Sequence, residues 1–327
     1  MSEPHNPTPS AMLKKIWALG QMELRMMALV VVLITILSFL SPHFFTMHNI
    51  LNLMDQTVVL GIVAVGATLV ILTGGIDLSV GSVMGMSGIV FGLSFPVIGF
   101  YPAVALCLLV GATAGCFSGL LVTRVGLAPF VATLGMMSIA RSQAYVLSGA
   151  KSINALPPQI EFLGNETISG VPLNFICLIT LYLLMWFFLS RTKLGRSVYA
   201  IGSNEEAARL AGVAVVPIKT MCYALSGFFA ALASIFLSSR ILSIDPLAGN
   251  GLELESIAAV VIGGASLFGG RGSIIGTLMG VFIMVLIRNG LNLMKVDPYW
   301  HGTAIGSVII AALLMERFFR RGAGVGK

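Results

Sequence analysis

Thr57–Thr73, TVVLGIVAVGATLVILT, runs for seventeen residues without a charged side chain. Its apolar residues do not alternate, which excludes a barrel strand. At about 1.5 Å per residue it covers most of a hydrocarbon core about 30 Å thick. It reads as a membrane-crossing helix. Comparable runs lie near 24–41, 80–99, 102–122, 129–147, 172–190, 218–239, 254–268, 273–294 and 301–316. The run at 254–268 is short for a full crossing and reads as broken or partly re-entrant.

The fold class is therefore an all-α polytopic membrane protein with about ten transmembrane helices. The composition agrees. The 327 residues are 57% hydrophobic and 10% charged, against about 25% charged in soluble domains. The net charge of +6 does not point to nucleic acid, because the cations collect in loops. With the N-terminus in the cytoplasm, fourteen of the nineteen Lys and Arg fall on the inner side and three (Lys151, Arg240, Lys295) on the outer. That asymmetry sets both termini in the cytoplasm. The expected organisation is an N-terminal tail at 1–21, a transmembrane domain at 22–317 with a cytoplasmic loop at 191–219, and a C-terminal tail at 318–327. The longest outer loop, about 148–171, is too small for a folded domain.

Inside that loop lies Ser203–Gly212, SNEEAARLAG. Ser203 and Glu206 fit a capping box at a helix start. Glu205 and Glu206 occupy the first turn, where the helix dipole favours negative charge. Gly212 fits a left-handed C-terminal cap, and Pro217 follows soon after. Two turns cannot stand alone in water, so this helix needs a partner surface.

Two glycine-rich breaks interrupt the apolar runs. In Gly74–Ser82, GGIDLSVGS, Asp77 reads either as a cap on the third helix near the inner interface, aided by Ser79, or as a pathway or gate residue with Gly74 and Gly75. Gly263–Ser273, GGASLFGGRGS, echoes that layout and marks a weak internal repeat. Polar residues within spans, among them Asn52, Gln56, Thr68, Ser138, Arg141, Arg288 and Asn289, suit a hydroxylated neutral solute. Interhelical hydrogen bonding or snorkelling is the plainer reading, above all for Arg141 and Arg288. Asn52 and Gln56 join the pathway candidates.

Several chemistries have no residues to carry them. No nucleotide-binding GK[ST] ending occurs, no Ser/His/Asp or Cys/His constellation appears, and the four cysteines form no CxxC pair. No catalytic residue, cofactor or metal is expected, and Cys107, Cys116, Cys177 and Cys222 read as small hydrophobes.

Leu69–Ser82, Pro129–Met136, Leu194–Gly212 and Leu252–Gly280, with Asn289–Leu293 (NGLNL), together resemble the permease subunit of a bacterial ABC sugar importer of the ribose type, over nearly the whole length. Glu206-Ala207-Ala208 and Gly212 are similar to the EAA-xxx-G loop of importer permeases, although the later I-x-L-P part is missing from Val213–Lys219. The resemblance implies that this helix enters a cleft on a cytoplasmic ABC ATPase. Ala207, Leu210 and Ala211 would form its contact face, Glu206 and Arg209 the rim, and Ser203, Glu205 and Ala208 the remainder of the coupling segment. It further implies a second permease chain (identical or paralogous), a periplasmic sugar-binding protein, a lipid bilayer setting in the bacterial inner membrane, and a pentose, hexose or polyol as solute. Rival readings are a permease of the same superfamily for another small solute, such as a furanone autoinducer or a branched amino acid, and an ion-coupled secondary transporter.

Overall fold

The computed structural model describes residues 9–297 and 299–322. Its elements are α1 (Pro9–Leu40), α2 (Met47–Leu72), α3 (Val80–Ile98), α4 (Phe100–Thr123), α5 (Pro129–Ser148), α6 (Gln159–Asn165), a hairpin of β1 (Thr167–Ile168) and β2 (Val171–Pro172), α7 (Leu173–Arg191), α8 (Lys193–Ser203), α9 (Glu205–Leu210), α10 (Val215–Ile241), α11 (Leu252–Ile262), α12 (Ile274–Leu293) and α13 (Tyr299–Gly322). Among the described residues α2, α3, α4, α7, α10 and α12 are long and apolar enough to cross a bilayer. The protein is thus helical and polytopic.

Each expected crossing falls on a helix, with shifted ends. The run at 57–73 belongs to a longer helix, because Thr46 caps α2 eleven residues earlier by accepting the Asn49 N–H at 3.3 Å. The run at 254–268 gives only the eleven-residue α11, which stops where Gly263 and Gly264 turn the chain. Helix α1 already begins at Pro9 and α13 extends to Gly322, so both enter the stretches expected as tails. Residues 1–8 and 323–327 of those stretches lie outside the described residues.

Helix α2 is the axis of the bundle. Its most apolar window is 89% buried, and α10, α11, α12 and α7 pack round it. Helix α10 runs antiparallel to it. Asn52 near the start of α2 accepts from Arg240 near the end of α10 at 2.8 Å, and Gly66 lies against Ser226 midway along. On the other face of α10, Gly111 and Gly115 of α4 touch the backbone of Gly227 and Tyr223. A side chain at Gly111 would displace the Gly227 carbonyl, so the small-residue spacing serves close helix approach. Cys107 and Cys222 are buried thiols in this packing. Leu109, Phe117, Leu183, Leu184 and Phe187 are exposed on α4 and α7, as expected of faces turned to lipid.

Polar pairs tie α12 into the bundle. Asn49 and Asn289 exchange amide hydrogen bonds of 3.2 and 2.7 Å between α2 and α12, and the Thr68 and Thr277 hydroxyls meet at 2.8 Å. Arg288 is ion-paired with Glu255 on α11. These groups satisfy one another across helices, which is what a low-dielectric setting requires. A surface loop is fastened in a different way: Ile153 and Ile244 form an isolated antiparallel bridge with N–H···O distances of 2.8 and 2.9 Å.

Arg288→Met leaves the Glu255 carboxylate buried without its counter-charge. The expected loss is about 2 kcal/mol, below the usual range for buried pairs because Arg288 is partly open. The Glu255→Gln/Arg288→Met double variant should recover most of it. Thermal unfolding in detergent micelles measures both, and losses that simply add would show the pair to be uncoupled.

Candidate functional site

Three features carry the chemistry: the short helix α9, the unwound chain between α2 and α3, and a cavity at a second unwound crossing.

Helix α9 is capped at both ends. Its N-cap is Asn204, whose Oδ1 accepts the Ala207 N–H at 2.9 Å. The capping box expected from Ser203 and Glu206 does not form. Ser203 is still the last residue of α8 and its hydroxyl donates to the Tyr199 carbonyl at 2.8 Å. The chain turns only at the extended Asn204, one residue later. Glu206 is thereby free to take Arg209 in a two-point ion pair of 2.6 and 3.0 Å. The hydrogen-bonded Arg209 guanidinium holds the Glu206 carboxyl below the usual carboxylate range.

At the other end Gly212 adopts φ +81°. The Gly212 and Val213 N–H groups bond the Arg209 and Ala208 carbonyls, each at 3.0 Å, which completes a Schellman motif. Ala208 is buried, whereas Ala207, Ala211 and Leu210 face outward, with Leu210 77% exposed. A rigid helix thus presents an apolar face edged by charge. Its base is strapped to the bundle by the Lys219–Glu205 pair at 2.8 Å, with Lys219 nearly buried at the foot of α10. Sequence reading missed this strap, because a fourteen-residue separation has no helical periodicity to reveal it. The one signal was a lysine within an apolar run.

Asp77 sits in the unwound stretch between α2 and α3 and is almost fully buried. One carboxylate oxygen accepts the Ser79 N–H at 2.9 Å and the Ser79 hydroxyl at 2.7 Å; the other accepts the Ser226 hydroxyl at 2.8 Å. The N-cap position of α3 belongs to Ser79, whose hydroxyl is given to Asp77 and not to the helix. Asp77 is therefore a latch on α10. Ser226 lies near the middle of α10, so Asp77 is well inside the bundle.

The two glycine-rich breaks that echo each other in sequence meet in space. The Gly270 N–H donates to the Leu72 carbonyl at 3.0 Å, and Gly74 abuts the Phe268 carbonyl. Gly202, three residues before α9, lies against both Leu72 and Gly270, so closely that a Cβ there would strike backbone. Tyr199 adds a hydrogen bond of 3.0 Å to the Gly272 carbonyl. The segment leading into α9 thus touches the second break and the end of α2, just before the first.

Beyond α10, Leu242–Gly251 has no helix, and it folds back into the bundle. Arg141 of α5 donates through Nη1 to the Pro246 and Ala248 carbonyls at 2.6 and 3.1 Å. Gly249 meets Gly81, in the first turn of α3. The starts of α3 and α11 therefore face each other, and between them and α5 lies a cavity of about 500 Å³ whose polar lining includes Ser82, Ser138, Arg141, Ser142, Asn250 and Glu253. The pathway candidates Asn52, Gln56, Gly74, Gly75, Asp77 and Ser79 do not line it. Asn52 accepts from Arg240, and Gln56 has its Oε1 buried without a partner among the described residues.

Apolar helices packed round two unwound crossings make this a polytopic membrane permease. The pattern of the family described as branched-chain amino acid transport system / permease component matches residues 49–313. The ribose import permease protein RbsC of Bacillus subtilis is 42% identical over 291 residues, which cover 88% of this chain and 90% of that protein. RbsC of Escherichia coli K12 is 41% identical over 300 residues, 90% of this chain and 94% of that one. The fructose import permease protein FrcC of Rhizobium meliloti is 41% identical over 306 residues, 90% of this chain and 85% of that one. The chain belongs to this family of transport permeases.

The latch predicts a coupling energy. Asp77→Asn and Ser226→Ala each remove one side of a buried charged hydrogen bond, so their effects on thermal unfolding in micelles should be non-additive by about 1 kcal/mol or more. Strict additivity would show that the two groups do not act together.

Proposed function

We propose that this chain is the membrane subunit of an ATP-driven ABC importer for a sugar or related polyol, in the bacterial inner membrane. The observation that carries this reading is α9, doubly capped, apolar on its outer face and strapped to α10. In this reading it docks in a cleft of a separate cytoplasmic ABC ATPase, with Ala207, Leu210 and Ala211 in the contact and Glu206 and Arg209 at its rim. A second permease chain completes the pathway, and a periplasmic binding protein delivers solute to the opposite face. The names of the relatives, ribose and fructose import permeases, support the sugar class.

The excess of Lys and Arg on the α9 side supports a cytoplasmic position for that side and for both termini. Ten crossings follow if α1, α5, α11 and α13 join the six longer helices. Movement of α9 then reaches the bundle by two routes. The Lys219–Glu205 pair moves the foot of α10, which holds Asp77 through Ser226. The Gly202 contact presses on the second glycine-rich break and on the end of α2. Shifting these unwound segments against α2 exchanges outward for inward access, a rocking of packed elements about a fixed axis.

Glu206→Lys reverses the rim charge, and Gly212→Pro is incompatible with φ +81°. Each should abolish ATP-dependent uptake, by about tenfold or more, and release the ATPase on co-purification, with membrane insertion intact. Normal uptake and co-purification would overturn the docking role. Lys219→Met should retain the ATPase but lower the solute moved per ATP hydrolysed; an unchanged ratio would show that the strap transmits nothing.

A further inference from the structure

We infer that the cavity between α3, α5 and the Leu242–Gly251 segment is a solute-binding site within the membrane, with Glu253 and Arg141 as its principal contacts. The solute class is an uncharged polyhydroxylated ring. The inference deepens the proposed transport function and rests on it for direction only.

Glu253 lies in the first turn of α11. Its Oε1 accepts the Gly251 N–H at 3.3 Å. Its Oε2 is buried and has no hydrogen-bond partner among the described residues. An anionic oxygen in that condition costs several kcal/mol unless something donates to it. Glu253 is one of the residues that border the cavity, and a turn of its side chain away from Gly81 would offer that oxygen to a donor placed there. Arg141 enters from α5 with one nitrogen already fixed to the Pro246 and Ala248 carbonyls. A guanidinium carries five N–H groups, and no further acceptor is placed on it among the described residues. It is thus held rigidly by one nitrogen and keeps donors for a guest.

The charges of Glu253 and Arg141 offset each other, so the cavity as a whole favours neither a cation nor an anion. Ser82, Ser138, Ser142 and Asn250 add short hydroxyl and amide groups, while Met137, Tyr145 and Val146 supply apolar surface. Vicinal hydroxyls both donate to a carboxylate and accept from a guanidinium, and the C–H faces of a sugar ring suit the apolar wall. A zwitterionic amino acid could also span the two charges. With its two charged groups taken by Glu253 and Arg141 it has no hydroxyls left for Ser82, Ser138, Ser142 and Asn250, which disfavours it.

The test uses the full assembly with its ATPase and binding protein in liposomes, with Cys116 and Cys177 replaced by Ala and Ser138→Cys introduced as a reporter. The rate of its modification by a water-soluble methanethiosulfonate is measured with D-ribose, D-fructose, L-leucine or no addition. The sugars are expected to slow the reaction on the order of threefold, L-leucine not at all, and Glu253→Gln and Asn250→Ala each to remove the protection. Equal rates under all conditions would overturn the site. Protection by L-leucine alone would overturn the solute class, and protection that persists in both variants would overturn the role of Glu253. ATP-driven uptake by the parent assembly is read separately: protection without uptake leaves the site standing and sinks the transport reading, whereas uptake without protection does the reverse.

Discussion

Backbone polar groups cannot be left bare in hydrocarbon. That constraint governs this molecule because two of its helix connections are unwound stretches packed against other helices. Between α2 and α3, and again between α10 and α11, the chain gives up its internal hydrogen bonds at depth, and other groups must replace them. The Asp77 carboxylate and the Ser79 and Ser226 hydroxyls do so at the first break. The Arg141 guanidinium does so at the second, by donating to two carbonyls. The Leu72 carbonyl at the end of α2 is met by the Gly270 N–H. Each break is sealed by a residue from a different helix, so the breaks exist only in the assembled bundle.

The same constraint explains where the remaining polar residues go. Asn49 faces Asn289, Thr68 faces Thr277, Glu255 faces Arg288, and Asn52 faces Arg240. These are fasteners between helices and not a lining. The polar groups that line the cavity come instead from α5, from the first turns of α3 and α11, and from Leu242–Gly251. A bundle held mostly by apolar contact and small-residue seams needs few such fasteners, and each fixes one helix pair in one register.

The helical class was readable from Thr57–Thr73 alone, since an apolar run of that length without alternation has one physical interpretation. Helix α9 was readable because its caps are local: Gly212 stands where a left-handed turn must be, although Asn204 and not Ser203 begins the helix. The echo between Gly74–Ser82 and Gly263–Ser273 was visible as a pattern, but its physical meaning was not. The two stretches touch each other and the second also touches Gly202, and contact between segments nearly 200 residues apart leaves no trace in spacing. The same holds for Lys219 with Glu205 and for Ser226 with Asp77. The cavity was illegible for a further reason. Leu242–Gly251 lies in a stretch between apolar runs, and nothing in its composition separates a surface loop from one that folds inward.

The bridge between Ile153 and Ile244 fastens a surface loop to the mouth of that inward-folding segment. Two peptide hydrogen bonds leave no slack between them. Pressure applied to the loop from outside is passed along the backbone, within a few residues, to the carbonyls gripped by Arg141. The loop and the cavity are in this sense one piece of hardware: whatever shifts the first must also shift the ceiling of the second.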